Sequence, residues 1–257
     1  MHFAYESVQS VINNLAEHSK ARLENIPSLA IVVPVLNEIE RLPLLLKELE
    51  RIEAEHVIIV DGGSTDGSVQ WLEKYFVCEP SINKTLIQSP SGRAKQMNAG
   101  AGKAKQDILL FLHADTVLPV NAKLEISTSY SKEFLWGRFD VEFDEPCLAM
   151  RLIAFFINMR SKLSKIATGD QAMFIERELF EKVDGFDDIA LMEDVAMSKK
   201  LYKRSSPYAS TARVITSARR WKQNGVLRTV IKMWWYRLAY SLGVSPDSLA
   251  QGYRNVR

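Results

Sequence analysis

Cysteine is nearly missing from this chain of 257 residues, where only Cys78 and Cys147 carry thiols, and they stand far apart. Two such thiols make neither a disulfide framework nor a metal-ligand cluster, so a bridge-stapled secreted domain is excluded and a reducing cytoplasm is the expected compartment. A dominant charge sign is missing too: 33 Lys and Arg face 31 Asp and Glu, for a net charge of +2. Nothing global calls for nucleic acid as a partner, and an anionic ligand has to be held locally. Long apolar runs are also lacking. The longest, Leu148 to Met159, contains Arg151 and falls short of the roughly 20 residues that span a bilayer. Met1 to Glu24 carries Glu6, Asn13, Asn14, Glu17 and His18 at short intervals, unlike the basic-then-apolar pattern of a secretory signal. No internal repeat or low-complexity linker breaks the chain.

What is present is core-forming material, at 47% hydrophobic residues. Val8, Val11, Ile12 and Leu15 have helical spacing and Pro27 closes their segment, which predicts an N-terminal helical extension over residues 1–27. Leu29 to Val35 is an unbroken, largely β-branched run of the kind buried on both faces of a parallel sheet. Arg41 to Ile52 reads as helix, and His56 to Val60 as a second strand ending in DGGSTDGS before a helix with Val69, Trp71 and Leu72. Thr85 to Gln88 and Ile108 to Leu112 continue the βα alternation, so a mostly parallel sheet flanked by helices is expected. After Trp136 the alternation weakens. Phe139 to Phe143 reads as strand, Leu148 to Leu163 as helix and Ala172 to Ile175 as a short apolar strand. One α/β domain over 28–222 is expected, followed by a basic aromatic helical segment over 223–257.

In open sheets of this kind ligands bind beyond the C-terminal strand ends, where Asn37, Asp61, Arg93 and Asp115 fall. VDGGSTDGS puts Asp61, Ser64 and Asp66 in a glycine-rich turn, where a carboxylate can accept from a base N–H or a ribose hydroxyl, or where Ser64 and Asp66 simply cap a helix. FLHADT puts Asp115 at the end of an apolar strand with His113 two residues earlier, on the same face by strand alternation. Mg²⁺ and Mn²⁺ bind through one or two carboxylates plus substrate phosphates, so one Asp is chemically adequate; capping of the next turn is the alternative. Val226 to Leu242 mixes Arg228, Lys232 and Arg237 with Trp234, Trp235, Tyr236 and Tyr240. Such a helix suits a membrane surface, and equally a face docked on the domain.

PVLNE, VDGGSTDGS, GRAKQMNAG, FLHADT, GDQAMFI and MEDV occur in the order and spacing of family 2 glycosyltransferases, which the chain resembles over roughly residues 29–200. Within that family it looks most similar to a small bacterial subgroup labelled arsenosugar-type or selenodomain-associated. The resemblance implies a GT-A-like, Rossmann-type mixed sheet with helical extensions at both ends. It implies that Pro34, Asn37 and Glu38 line a donor nucleotide pocket, that Asp61 contacts the base while Ser64 and Asp66 shape the turn, and that Arg93 faces the donor phosphates. Asp115 falls on the metal-binding carboxylate of a DXD-type motif whose first acidic position is His113 here. Gly169, Asp170 and Gln171 fall on the acceptor side, and the Glu193–Asp194 pair supplies the general base. TSARRW partly resembles a QXXRW segment, so Arg219 and Arg220 would meet diphosphate charge and Trp221 an acceptor sugar; an exposed basic turn is the alternative. The implied activity is inverting, metal-assisted transfer from a nucleotide sugar to a hydroxyl in the cytoplasm, with a lipid-linked acceptor and peripheral contact at the inner face of the membrane as the option left open. The rivals are a sugar nucleotidylyltransferase and a non-catalytic sugar-nucleotide-binding protein; the glycine- and arginine-rich N-terminal loop usual in the former is absent from PVLNEIERL.

Overall fold

The computed structural model describes residues 26–78, 83–145 and 147–254, so the extension expected over 1–27 lies almost wholly outside the described residues. The first half alternates strand and helix as expected: β1 (Leu29–Val35), α1 (Leu42–Glu50), β2 (His56–Asp61), α2 (Ser68–Cys78), β3 (Lys84–Gln88), α3 (Arg93–Ala101) and β4 (Ile108–Phe111). β5 (Thr116–Val117), α4 (Ala122–Ser131), β6 (Trp136–Phe143) and α5 (Leu148–Ser164) follow. A 3-10 turn at Gly169–Gln171 then leads to β7 (Phe174–Glu176), α6 (Arg177–Lys182), α7 (Glu193–Tyr202) and β8 (Tyr208–Thr216). The chain closes with α8 (Arg219–Asn224), α9 (Val226–Ser241) and α10 (Pro246–Arg254).

One mixed sheet runs β3-β2-β1-β4-β7-β6-β8-β5. β3, β2, β1 and β4 are parallel, and β7 then pairs antiparallel with both β4 and β6. The apolar runs have a direct cause. Leu29, Ile31, Val33 and Val35 face one core, shared with Leu46 of α1, Leu72 of α2 and Ile126 of α4, while Ala30 and Val32 face a second core with Met97 of α3 and Met197 of α7. A strand covered on both faces has no polar positions to alternate with. Because these strands are parallel, their C-terminal ends, and the loops that follow them, lie along one edge.

Candidate active site

The loops after β1 and β2 are pinned to each other. Asn37 has φ +55°, a left-handed conformation that asparagine tolerates. Its N–H donates to Ser64 Oγ (2.9 Å) and its Oδ1 accepts from the Thr65 N–H (2.8 Å). Ile39 N–H donates to Asp66 Oδ2 at 3.0 Å, and Asp66 Oδ1 accepts from the Ser68 hydroxyl at 2.6 Å. Burial pushes the Asp66 carboxyl up, but the donors from Ser68 and Ile39 outweigh it and hold it below its ordinary value. Asp61 is almost wholly buried, and its Oδ2 accepts from the N–H groups of Gly63 (2.8 Å) and Ser64 (3.0 Å). The turn-holding role of these residues is therefore filled. Asp61 and Ser64 also line, with Gln70, Gln88 and Ser89, a cleft of about 220 Å³.

A second convergence lies beyond β4. Arg93 at the head of α3, His113 after β4, Gly169 in the 3-10 turn, and Glu193 and Asp194 at the start of α7 line one crevice. Met192 has φ +69°, and this sharp entry turns α7 so that its first two side chains enter the crevice. Asp194 Oδ2 accepts from the Gly169 N–H (2.8 Å) and Oδ1 from its neighbour Val195 (2.7 Å). Burial, then the Glu193 charge, raises the Asp194 carboxyl from its ordinary 3.8 to about 7 against those two donors. Glu193 is buried and pairs with Arg93 at 3.7 Å. Gly169 lets backbone and imidazole meet, since a Cβ there would sit 2.5 Å from the His113 ring. Asp170 is half-buried with Oδ1 enclosed and lacking a hydrogen-bond partner. Gln171 is fully buried, its Oε1 accepting from the Thr168 N–H (3.1 Å), so it holds the turn.

His113 and Asp115 do not share a strand face, which corrects the expectation from alternation. β4 ends at Phe111, and the Thr116 N–H bonds back to the His113 carbonyl at 3.1 Å, closing a turn that holds both residues outside any strand. Asp115 instead stands beside β5, where Thr116 meets Thr216 of β8 through their hydroxyls (3.2 Å). β8 thereby delivers Ser217 and the residues after it to this turn, and Arg41 Nη2 donates to Ser217 Oγ at 3.2 Å. Arg219 heads α8 exposed, and Trp221 packs edge-on against Phe143 with ring centroids 5.7 Å apart. The side chain of Arg220 lies outside the described residues. Among the described residues no three of His, Cys, Asp and Glu stand together as a metal cage. A divalent ion fits only as the sequence implied: Asp115 is half-exposed, its Oδ1 accepting a long 3.4 Å bond from Thr116, which leaves carboxylate oxygens free for an ion completed by phosphate and water.

Three site-shaping residues have little signature in the sequence. Gln96 donates to the carbonyls of Val35 (2.9 Å) and Val60 (2.8 Å) where β1 and β2 end, and Asn98 exchanges two hydrogen bonds with the backbone of Phe186 ahead of α7. Polar amides in the small-residue stretch GRAKQMNAG are the only signal for these two. Arg160 of α5 sits near Asp170 and Asp194, its pKa lowered by burial although both carboxylates act the other way. Nothing in an amphipathic helix singles that arginine out.

The mixed sheet with helices on both faces is the GT-A-like fold, and solved structures share it. The mannosyltransferase PcManGT of Pyrobaculum calidifontis, in complex with GDP-Man and Mn²⁺, aligns with a TM-score of 0.60 at 18% identity over 93% of this chain and 75% of that one. S. aureus TarS (residues 1–349) aligns with a TM-score of 0.55 at 19% identity over 75% and 61%. Glycosyl transferase family 2 matches residues 30–183, and the chain belongs to that family. Among curated relatives, the undecaprenyl-phosphate 4-deoxy-4-formamido-L-arabinose transferase of Proteus mirabilis is 33% identical over 37% of this chain and 31% of its own length. The Bacillus subtilis protein named "Probable glycosyltransferase YdaM" is 24% identical over 84% of this chain and 54% of its own. The chain thus spans from 31% to 54% of the length of these relatives.

Proposed function

We propose that the chain is an inverting glycosyltransferase that moves a sugar from a nucleotide-sugar donor to an acceptor hydroxyl, with Asp194 as the general base. One observation carries this: a buried carboxylate, oriented by two backbone N–H groups and raised to about 7, lies in the same crevice as Arg93 and His113. The acceptor oxygen bonds to the anomeric carbon while its proton passes to Asp194. The bond from that carbon to the diphosphate breaks, and its electron pair leaves with the nucleoside diphosphate. One displacement from the opposite face inverts the centre. The braced loops and the cleft beside Asp61 would hold the nucleotide, with Pro34, Asn37 and Glu38 in the first loop, and Arg93 would meet departing phosphate charge. Asp115 would hold Mg²⁺ or Mn²⁺, and such an ion supplies charge neutralisation for the diphosphate. Gly169 and Asp170 would border the acceptor.

Residues 28–222 would form the catalytic unit and 223–257 an accessory segment. Placement in the arsenosugar-type subgroup rests on the order of the motifs. A lipid-linked acceptor and peripheral membrane contact through 226–242 are supported by the aromatic, basic composition of α9; no described helix is long and apolar enough to cross a membrane. The test is Asp194→Asn, which keeps size but cannot take the proton. Turnover is expected to fall by about two to four decades with donor affinity nearly unchanged. Unchanged turnover there and in Glu193→Gln would remove the pair from the mechanism.

A further inference from the structure

We infer that α5 joins α9 in one docking surface for an anionic lipid bilayer, set on the acceptor side of Asp194. This extends the proposed contact through α9 and rests on it. α5 buries Met150, Ala154 and Ser161 and turns Leu148, Leu152, Phe155, Phe156 and Leu163 outward, from 50% exposed at Leu152 to 76% at Leu163. Those positions follow one helical stripe. α9 does the same with Ile231, Trp234, Trp235 and Leu238. Contiguous outward apolar stripes on two helices, one carrying paired tryptophans, are the pattern of an interfacial surface and not of a solvated one.

Charge identifies the occupant. Cys147 to Gly169 holds four Lys and Arg and no acidic residue, and Val195 to Pro246 holds eleven and none, in a chain whose net charge is only +2. On the helices themselves α5 carries Arg151 exposed and α9 carries Arg228 exposed with Lys232 and Arg237 half-buried, and neither helix holds an acidic residue, which suits anionic headgroups. A symmetric contact with a second copy would press that charge against itself.

The two helices are also tied to common neighbours, α8 near their starts and α7 near their ends. α5 follows the turn at Asp144–Glu145; Ala218 N–H donates to Asp144 Oδ1 (2.8 Å) and Lys222 of α8, just before α9, pairs with Glu145. At the far end, α5 runs on to Gly169, whose N–H holds Asp194. Tyr240 of α9 lies 5.1 Å from Lys199 Nζ of α7, its phenol raised by burial and then by the charges of Asp187 and Asp194. A bilayer across this face brings its headgroup layer to the carboxylate that would deprotonate the acceptor.

The test is flotation of the full chain with phosphatidylcholine vesicles, with and without phosphatidylglycerol. The wild type is expected to float with the anionic vesicles only, and Phe155→Ser/Phe156→Ser and Trp234→Ser/Trp235→Ser each to weaken binding about tenfold or more. Arg151→Glu, exposed on α5, is expected to weaken it as well and serves if a serine pair melts early. Loss confined to the α9 pair would overturn the inference and leave the α9 contact standing; wild type that ignores anionic vesicles would overturn both. A wild-type dimer that the α5 pair converts to monomer would assign the face to a second copy instead. Nucleoside diphosphate release by the same proteins judges the transferase reading separately.

Discussion

Asp194 is where one side chain's surroundings dictate measurable behaviour. A base must be ionised to act, so turnover is expected to rise with pH through about 7 and level off above it. The same shift has a stability consequence of opposite sense. The folded protein holds this proton more tightly than the unfolded chain, whose carboxyl keeps its ordinary 3.8, so the extra stability is fully present below about pH 4 and is lost as pH rises through about 7. Asp194→Asn removes that loss. Melting curves at pH 5 and pH 8 are expected to show the variant gaining on the wild type at the higher pH; a constant gap would mean the carboxyl is not shifted in the fold. At Gly169 the constraint is steric. Gly169→Ala puts a methyl 2.5 Å from the His113 ring and disturbs the N–H that orients Asp194, so turnover is expected to drop at least tenfold with the melting temperature changing little, because an imidazole can yield where backbone cannot.

Among elements, the two bracing devices separate by burial. Asn37→Ala removes the bonds its Oδ1 accepts from Thr65 in an exposed loop, which costs about 1 kcal/mol, whereas Gln96→Leu takes a buried donor from two strand-end carbonyls, of which that of Val35 keeps the Gly62 N–H, costing about 1–3 kcal/mol in all. Urea unfolding is expected to rank them in that order, and donor titration is expected to show both weakened, since each frees the paired loops. How much of this was legible in the sequence follows the same physics. β1, β2 and β4 were readable because two-sided burial writes an unbroken apolar run, and α5 and α9 because their spacing is helical. β8 was not: Tyr208 to Thr216 intersperses Ser, Thr and Arg among its apolar residues without a clean alternation, and Thr116, the partner of Thr216, lies 100 residues earlier, beyond the reach of local pattern. The motif order placed Arg93, His113, Gly169, Glu193 and Asp194, and the fold brings these five together. It did not reveal that His113 and Asp115 lie in a turn, because a turn closed by one backbone hydrogen bond leaves no mark on composition.

At the scale of the whole molecule the sheet divides its labour. The parallel half carries the braced loops and the cleft, while the half beyond β4 carries the 3-10 turn, α7 and the two outward-facing helices. Asp115 sits where β5 closes the far edge of that second half, so Asp115→Ala is expected to leave the melting temperature unchanged and to abolish the response of donor binding to Mn²⁺. Equal donor affinity with and without EDTA in the wild type would sink the metal assignment. The Arg41–Ser217 hydrogen bond joins residues 176 positions apart, and Thr116–Thr216 residues 100 apart. Contacts of such separation repay their loop entropy only after the intervening chain is in place, so the rim of this site is completed late in folding. A nucleotide that grips the finished rim has nothing to hold in the folding transition state. It is therefore expected to lengthen the lifetime of the native protein in denaturant while leaving the refolding rate untouched, which stopped-flow traces with and without the nucleotide would show.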